Sequence, residues 1–506
     1  MVTMIQSAGL AGIQGCRVVC ECDLSNGLPR FDIVGLPDAS VKEAQDRVRA
    51  AIKNCRFEFP MRRITINLAP AELKKEGAIY DLPILLGILT CSGQLPMPPA
   101  DAVFLGELSL SGELRSARGV LPMALAAAES GAKQIFVPAA NAREASLTKD
   151  LTVYPVETLQ QLAAHLKQEA PITPAEPYVF SAQRAGAEDF SEVLGQEGVK
   201  RAMEIAAAGS HNLLMIGPPG SGKSMLARRL PSILPDLTPE EALDCTKIHS
   251  VAGSLTGSDP LVRTRPFRSP HHTVSAVALA GGGAKPRPGE VSLAHHGVLF
   301  LDELPEFHSD ALEILRQPIE DGVITVSRVA GTHTYPCSFM LVCAMNPCRC
   351  GYYGDPSGRC TCSDQQIRTY LKRISGPLLD RIDLHVTVRS LAYDTLADRK
   401  PAESSEQIRQ RVNAARQIQT ERFKGTDTIC NAGIRPGDMA RFCATDAAGA
   451  ALLKNAFSAL GLSARAYDRL LKVARTIADL AGSPEIKADH IAEAIQFRSL
   501  DRSLML

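Results

Sequence analysis

The chain has 506 residues, which is more than one hydrophobic core usually organises, so we expect about three domains. Apolar residues make up 45% and charged residues 22% of the sequence, a balance that excludes a largely disordered chain. The 55 Lys and Arg residues are matched by 55 Asp and Glu residues, so any nucleic-acid site has to be a local basic surface or the lining of an assembled channel.

The sequence contains no uninterrupted apolar run of about 18 residues, and its first residues lack the basic start and apolar core of a secretory signal. We therefore expect a cytoplasmic protein without a membrane segment. The 14 cysteines are spread from Cys16 to Cys443, which in such a chain favours reduced thiols or metal ligands over a disulfide framework.

Short β-like runs and helical stretches alternate in residues 1–167, which indicates an α+β or α/β domain. Strands are predicted over 16–22, 64–68 and 102–108. A helix is predicted over 40–53, with a capping box from Ser40 to Glu43 at its start. Residues 168–188 are rich in proline and lack periodicity, which is typical of an exposed connector.

From 189 to 392, apolar runs at 212–216, 297–301 and 339–345 alternate with helical segments, which predicts a parallel sheet covered on both faces. Residues 393–506 then combine a polar stretch with helical spacing, so we expect a small all-helical domain. The predicted fold class is therefore α/β multidomain, with an α/β phosphate-loop core between the N-terminal and the helical domain.

The strongest motif is G-x-x-x-x-G-K-S, which follows the predicted strand 212–216 directly. Its glycines let the chain turn so that backbone N–H groups and the start of the next helix enclose phosphate oxygens. Lys223 is expected to reach the β- and γ-phosphates of ATP, and Ser224 to ligate Mg²⁺. An ordinary Gly-rich turn is the alternative. The loop consists of Gly217, Pro218, Pro219, Gly220, Ser221, Gly222, Lys223 and Ser224.

Polar residues also end the other two predicted strands of this core. Asp302 and Glu303 follow 297–301, at the edge of the sheet where the phosphate loop is expected. Asp302 is suited to hold Mg²⁺ through water, and Glu303 is suited to polarise the attacking water. Asn346 follows 339–345 and is a candidate to hold that water near the γ-phosphate, or merely to cap the turn at Pro347.

These motifs resemble the Walker A, Walker B and sensor 1 motifs of the AAA+ ATPases. The segment LLDRID at 378–383 is similar to the arginine-finger segment of the magnesium-chelatase branch, which implies that Arg381 inserts into a neighbouring subunit's site. An arginine paired with Asp380 or Asp383 on a helix surface is the alternative. Arg465 resembles sensor 2 of that branch, with a solvated arginine as the alternative.

The resemblance to the YifB/ComM family of magnesium-chelatase-like ATPases covers essentially the whole chain. Segments that carry it include FDIVGLPDASVKEA, IGPPGSGKSMLARRLPSILP, RPFRSPHHTVSAVALAGGG and AMNPCRCGYYGD. It implies a homohexameric, ATP-driven DNA helicase that promotes branch migration when transforming single-stranded DNA is integrated by homologous recombination, with recombination proteins as possible partners. A magnesium-chelatase motor subunit that acts on a partner protein without DNA is the alternative.

Residues 1–167 resemble the Lon protease domain but lack its catalytic dyad. Ile79 stands at the position of the nucleophile and Leu121 at the position of the general base. An aliphatic side chain cannot attack a peptide or accept its proton. We therefore expect no protease activity and interpret the domain as a scaffold for assembly or DNA contact.

Two segments of the core are candidates for DNA contact. Residues 263–290 carry five basic residues against one acid, and the resemblance implies a helix-2 insert whose Lys and Arg face a central pore and neutralise DNA phosphates. The alternation in 324–334 predicts a pre-sensor-1 β-hairpin. Charged loops at subunit contacts are the alternative for both. The candidate DNA-binding residues are Arg263, Arg265, Arg268, Lys285, Arg287 and Arg328.

Four cysteines frame a Gly- and Tyr-rich loop at 348–362, and their thiolates are suited to a tetrahedral structural Zn²⁺. The C-x-C spacing is less typical of zinc sites than C-x-x-C, so unligated reduced thiols remain the alternative. The histidine pairs 271–272 and 295–296 lack a ligand spacing, which favours structural or polar-network roles. The candidate zinc ligands are Cys348, Cys350, Cys360 and Cys362.

Overall fold

The computed structural model describes residues 2–180, 188–255, 259–283, 286–328, 331–355, 358–390, 402–460 and 462–498. No helix among these residues combines the length and the apolar character that crossing a membrane requires. The strands are Val2–Ala11 (β1), Gln14–Ser25 (β2), Arg30–Val34 (β3), Arg63–Ala69 (β4), Ala102–Phe104 (β5), Glu107–Leu108 (β6), Leu114–Arg115 (β7), Gln134–Pro138 (β8), Thr152–Val156 (β9), Leu213–Ile216 (β10), Phe267–Arg268 (β11), Gly281–Gly282 (β12), Arg287–Pro288 (β13), Val298–Leu301 (β14), Val323–Arg328 (β15), Gly331–Pro336 (β16), Met340–Met345 (β17) and Leu384–Thr387 (β18).

The helices follow the same order and alternate with the strands through most of the chain. Short 3₁₀ helices cover Ala78–Tyr80, Ala139–Asn141, Phe190–Glu192, Leu230–Ser232, Leu304–Glu306, Asn431–Gly433 and Pro436–Asp438. The α-helices are Ala39–Lys42 (α1), Ala44–Asn54 (α2), Asp81–Cys91 (α3), Val120–Glu129 (α4), Ala142–Ala145 (α5), Leu159–Leu166 (α6), Glu197–Gly209 (α7), Lys223–Arg229 (α8), Pro239–Ala252 (α9), Ala276–Ala280 (α10), Glu290–Leu293 (α11), Ser309–Ile314 (α12), Arg316–Asp321 (α13), Asp364–Leu371 (α14), Gly376–Leu379 (α15), Ser405–Arg422 (α16), Met439–Phe442 (α17), Ala447–Leu460 (α18), Ala464–Leu480 (α19) and Ala488–Gln496 (α20).

The chain divides into two compact units, of which the first comprises Met1–Ser181 and Pro239–Val262. Its core is a seven-stranded mixed sheet in the order β3-β4-β2-β1-β5-β8-β9. The pairs β1–β2 and β2–β4 are antiparallel, whereas β5, β8 and β9 continue the sheet in parallel from β1. Helices α3 and α4 pack against β1 and β2, so their apolar residues close the core of this unit.

The predicted strands of this unit are present with shifted bounds, whereas the single helix expected over 40–53 is divided into α1 and α2. The strands expected over 16–22 and 64–68 lie within β2 and β4, and the run 102–108 is divided between β5 and β6. The predicted capping box at Ser40 is wrong. Asp38 caps α1 instead, since its extended backbone lets its carboxylate accept the N–H of Val41 at 2.9 Å, whereas Ser40 already lies inside the helix.

A segment from the middle of the chain belongs to this first unit, although the sequence placed it within the ATPase core. Helix α9 packs against α4, and the hydroxyl of its Ser250 donates to the carboxylate of Glu144. Glu144 is 8% exposed and also accepts the N–H of Leu121 at 2.9 Å and the side-chain amide of Asn141 at 3.0 Å. A buried carboxylate is costly unless its oxygens are paired, so this network holds α9 in place.

The second unit comprises Ala182–Thr238 and Arg263–Leu506. Its centre is a five-stranded sheet in the order β11-β14-β17-β10-β18, in which all neighbouring strands are parallel. Every residue of β10, β14 and β17 is buried, as expected for parallel strands covered on both faces. The predicted parallel sheet is therefore confirmed. The described residues from 402 to 498 are mainly helical, and α16 and α19 pack against α7 of the same unit.

Two predicted accessory segments lie in this second unit. The span 263–290 begins within the sheet itself, because β11 pairs with β14, and only then forms α10 and the β12–β13 hairpin. The hairpin predicted over 324–334 is present as β15 and β16, which pair from Val323 with Pro336 to Arg328 with Gly331.

We expect Ser250→Ala to loosen α9. Loss of the hydroxyl removes one of the two donors to Oε1 of buried Glu144, a hydrogen bond to a carboxylate worth about 1.5–3 kcal/mol, so amide hydrogen exchange in 239–252 should become faster while exchange in β1 and β2 changes little. Ser254→Ala is the matched control because its hydroxyl pairs with His249 of its own turn. Unchanged exchange in Ser250→Ala would show that the network does not hold the helix.

Candidate active site and four-cysteine cluster

Three parallel strands place the predicted site residues at one edge of the second unit's sheet. In the register of the sheet, Ile216 pairs with Met345, and Leu301 pairs with Cys343. The phosphate loop follows β10 directly, Asn346 follows β17 and Asp302 follows β14. Because the carboxyl ends of parallel strands meet at one edge, groups that are distant in the sequence converge there.

Lys223 occupies the centre of this site and is 8% exposed. Its Nζ donates to the carbonyl oxygens of Gly217 at 2.7 Å and Pro218 at 2.9 Å, and to Oδ1 of Asn346 at 3.2 Å. Burial lowers the pKa of Lys223, and two nearby carboxylates oppose that shift. An ammonium group has three N–H donors, so all three are satisfied by protein oxygens that the phosphates of ATP would replace.

The loop around Lys223 fits a phosphate. Gly220 and Gly222 have φ values of +75° and +91°, which a residue with a Cβ rarely adopts. Gly217 lies so close to Val388 that a Cβ there would come within 2.1 Å of its carbonyl oxygen. Among the described residues, the buried hydroxyl of Ser221 has no hydrogen-bond partner. A phosphate oxygen would supply the acceptor that this hydroxyl lacks.

Ser224 and Asp302 form an oxygen pair suited to Mg²⁺. The hydroxyl of Ser224 donates to Oδ2 of Asp302 at 2.5 Å, and the N–H of Glu303 donates to Oδ1 of Asp302 at 2.9 Å. Mg²⁺ prefers hydroxyl, carboxylate and water oxygens, so these two residues fit the ion. Glu303 has a φ of +54°, an uncommon conformation for a residue other than glycine and one that recurs at functional sites.

Glu303 has a partner that the sequence analysis did not assign. Its Oε2 lies 3.2 Å from Nδ1 of His272, and its side chain is 56% exposed. His272 belongs to the predicted insert at 263–290. The spacing of the pair 271–272 gave no sign that one of its histidines contacts the candidate catalytic carboxylate. The other pair is structural, as predicted: burial lowers the pKa of His295 to about 3, and its Nδ1 accepts the N–H of Ser338 at 3.0 Å.

Arg381 is buried, with 3% exposure in this single chain. Its Nη1 donates to the carbonyl oxygen of Pro377 at 2.7 Å, and its Nη2 pairs with Glu320. Neither partner is one of the adjacent aspartates that the sequence offered as the alternative. Insertion into a neighbouring subunit would therefore require Glu320 to release the guanidinium group. Arg465 lies in the first turn of α19 with an exposed side chain.

Asp383 attaches the arginine segment to the sheet, a role that the sequence analysis missed. Its Oδ2 accepts the N–H of Asn212 at 2.9 Å, and Arg469 lies 3.4 Å from its Oδ1. Burial acts to raise the pKa of Asp383, but His211 and Arg469 outweigh it and lower the pKa to about 2. Asn212 in turn donates to the carbonyl oxygen of Arg381 at 2.9 Å, so the segment is held beside β10.

The structure separates the candidate DNA-binding residues by their contacts. Arg265 donates to three backbone carbonyls of its own unit, and Arg268 forms a two-bond ion pair with Glu290 at 2.7 and 2.8 Å. Both guanidinium groups therefore have internal structural roles in this chain. Arg287 is exposed and Arg263 half-buried. Lys285 and the side chain of Arg328 lie outside the described residues.

The two residues that the sequence analysis aligned with a Lon-type dyad are apolar and buried. Ile79 is 8% exposed in a 3₁₀ helix, and Leu121 is fully buried in α4. Both side chains belong to the unit's apolar interior, so packing accounts for them. The absence of protease activity remains a prediction, which is based on the lack of a nucleophile and a general base at these two positions.

The four predicted zinc ligands converge on one point. Their sulfur atoms all lie within 4.8 Å of one another, and Cys348, Cys350 and Cys360 have S–S separations of 3.3, 3.7 and 3.8 Å. A tetrahedral Zn²⁺ with Zn–S bonds of about 2.3 Å has edges of about 3.8 Å. The spacing therefore fits zinc.

Backbone N–H groups surround these sulfurs. The N–H groups of Tyr352 and Thr361 donate to Sγ of Cys350, and they lower the pKa of that thiol to about 6. The N–H of Cys350 donates in turn to Sγ of Cys362. Such donors stabilise thiolates, which are the form that binds a metal, and fix their orientation.

We expect the purified chain to hold about one zinc ion, because the four thiolates match a closed structural site. Cys360→Ser should remove most of the metal, as measured by elemental analysis after dialysis. Cys430→Ser is the control, since Cys430 is a partly exposed cysteine outside the cluster. Equal zinc content in both variants would contradict the assignment.

Three family models match successive parts of the chain. The model of the magnesium chelatase subunit ChlI matches residues 189–396, a second ChlI model matches 20–141, and a model of the ChlI C-terminal region matches 402–498. A magnesium-chelatase 67 kDa subunit from Chlorobaculum parvum is 29% identical over 160 residues, which cover 31% of this chain and 23% of that protein.

Two curated relatives match along nearly their whole length. Competence protein ComM from Haemophilus influenzae is 44% identical, with 99% of this chain and 98% of that protein covered. Protein YifB from Escherichia coli is 45% identical, with 100% and 98% covered. Full-length similarity at this level, together with the three family models, shows that the chain belongs to the YifB/ComM family of magnesium-chelatase-like AAA+ proteins.

Proposed function

We propose that this protein is an ATP-driven DNA motor of the cytoplasm that works as a homohexamer and promotes branch migration during homologous recombination. The observation that carries the ATPase part is the convergence of Lys223, Asp302, Glu303 and Asn346 at one sheet edge. The relative named a competence protein supports a role in integrating transforming single-stranded DNA. Branched DNA is then the substrate, and recombination proteins are the partners.

Each residue of the site has its own role in the proposed ATP hydrolysis. Lys223 and the loop's N–H groups bind the phosphates, and Asn346, which already contacts Lys223, positions the attacking water. Glu303 orients that water and accepts its proton. Ser224 and Asp302 would hold Mg²⁺, which when bound neutralises charge on the phosphates. For this role the contact between Glu303 and His272 has to break, so it belongs to the site before nucleotide binds.

DNA contact is assigned to two of the candidate residues. Arg287 is exposed next to α11, and Arg328 stands at the end of the β15–β16 hairpin. Repeated around a ring, such cations neutralise backbone phosphates without reading bases. Arg265 and Arg268 act as braces of this segment, since their guanidinium groups are held by the chain's own acceptors.

Two substitutions test the ATP site. Lys223→Ala should abolish tight binding of a fluorescent ATP analogue, because it removes the phosphate-binding ammonium. Glu303→Gln should keep the affinity within a few-fold and lower kcat by about 100- to 10,000-fold, since it removes general-base assistance. ATP turnover and migration of three- or four-strand DNA junctions are measured in parallel. Full turnover in Glu303→Gln would contradict the assignment.

The ATP turnover and junction migration assays also distinguish the DNA motor from the second candidate function. The family models favour a second candidate, a magnesium-chelatase motor that acts on a partner protein. That function predicts ATP turnover indifferent to DNA and no junction migration by the wild type. A wild-type protein that hydrolyses ATP and leaves junctions unmoved would overturn the DNA-motor proposal.

A mixing experiment tests the contribution of Arg381 to a neighbour's site. Arg381→Ala and Lys223→Ala should each be inactive alone, whereas mixed oligomers should regain part of the turnover, because some interfaces combine two intact halves. Because Arg381 is buried, thermal unfolding of the variant is measured as a control for folding. A well-folded pair that regains no activity would place Arg381 within its own subunit.

A further inference from the structure

The four-cysteine cluster touches the phosphate loop. Gly351, which follows the first two cysteines, has a φ of +88°, and a Cβ built there would lie 2.5 Å from Cδ and 2.7 Å from Cγ of Pro219. Pro219 is a residue of the phosphate loop itself. The backbone of the cluster therefore packs on the loop more closely than any side chain other than hydrogen allows.

The chain entering the cluster is also tied to the phosphate site. Cys348 is buried and lies two residues after Asn346, whose Oδ1 accepts from Nζ of Lys223 at 3.2 Å. The N–H of Gly351 donates to the carbonyl oxygen of Cys348 at 3.0 Å and closes the turn that meets Pro219. The chain that enters the cluster therefore contacts the site twice, through the hydrogen bond of Asn346 with Lys223 and through the packing of Gly351 on Pro219.

The chain leaving the cluster returns to the same residue. Helix α14 begins immediately after Cys362 with a capping box at Ser363, and the hydroxyl of its Tyr370 accepts the backbone N–H of Asn346. Tyr370 is buried at 8% exposure. Both ends of the four-cysteine segment therefore meet at Asn346, so a change in the shape of the segment would act on contacts of the site.

Metal binding should decide whether this segment keeps its shape. Without a metal, the four sulfur atoms, which lie within 4.8 Å of one another, are held only by backbone N–H donors and weak S–H contacts, whereas a bound ion converts ligand geometry into folding energy. Movement of Gly351 then changes the packing against Pro219. By thermodynamic linkage, the factor by which bound metal raises the affinity for nucleotide is also the factor by which bound nucleotide raises the affinity for metal.

We propose that a zinc ion bound by Cys348, Cys350, Cys360 and Cys362 braces the phosphate loop through the contact of Gly351 with Pro219, so that zinc and nucleotide bind with positive coupling. This inference rests on the proposed ATP site and adds a second ligand that sets its affinity. The zinc is a structural brace in this role and takes no part in the reaction.

The coupling is tested first without any activity measurement. Zinc release from the wild-type chain to a chromogenic chelator is followed with and without a non-hydrolysable ATP analogue, and the analogue should slow release. In the reverse direction, chelator-treated protein should bind the fluorescent analogue about 5- to 100-fold more weakly, and added Zn²⁺ should restore the affinity. Equal release rates together with equal affinities would overturn the proposal.

Matched glycine substitutions then locate the contact. Gly351→Ala should weaken nucleotide binding, whereas Gly354→Ala, at a φ of +73° in the same segment, should not, because a Cβ there meets no described atom within 4 Å. Pro219→Ala removes the two atoms that clash and should rescue part of the loss, which a double-mutant cycle measures as non-additivity. Equal effects of the two glycine variants would contradict the contact.

The outcomes distinguish this inference from the function on which it rests. A zinc-loaded wild type that binds no nucleotide would overturn both the ATP site and the coupling. Nucleotide affinity that is independent of zinc would overturn the coupling and leave the ATP site intact. If Gly351→Ala fails to fold, the chelation experiment on the wild type still decides the question.

Discussion

The parallel pairing of β10, β17 and β14 is the constraint on which the candidate site depends. Each strand is short and fully buried. Hydrophobic burial therefore sets the register, and the register sets where Lys223, Asn346 and Asp302 meet. A strand slip by one residue would exchange the two faces of a strand and separate groups that now lie within hydrogen-bond distance of one another.

The charged groups described at this site are paired within the chain. Lys223 is held by carbonyl oxygens, Asp302 accepts from Ser224, Glu303 lies beside His272 and Arg381 pairs with Glu320. Buried or partly buried charges require such partners, because an unpaired one is expensive. Under the proposed function, nucleotide, metal and a neighbouring subunit would have to compete with these internal partners.

The first unit shows how far a motif-based division of the chain can differ from the fold. Residues 239–262 lie between the phosphate-loop helix α8 and strand β11 in sequence, yet they pack with the first unit through Ser250 and Glu144. Their helical character alone gives no sign of this, because a helical pattern does not say which core the helix packs against. The buried carboxylate that receives Ser250 lies about a hundred residues earlier in the chain, beyond the reach of any local pattern.

Local chemistry determined much of this protein from its sequence: the glycines of the phosphate loop, the apolar strands with acids at their ends, the β15–β16 hairpin and the four clustered cysteines. These features depend on neighbouring residues, whose φ preferences and spacing are readable directly. Only the tertiary structure decided that Glu320 pairs with Arg381, that Glu290 pairs with Arg268, that His272 contacts Glu303 and that Gly351 lies on Pro219. Those contacts join residues brought together by packing of the whole unit, and the free energy of burying and pairing them is a property of that packing rather than of any one segment.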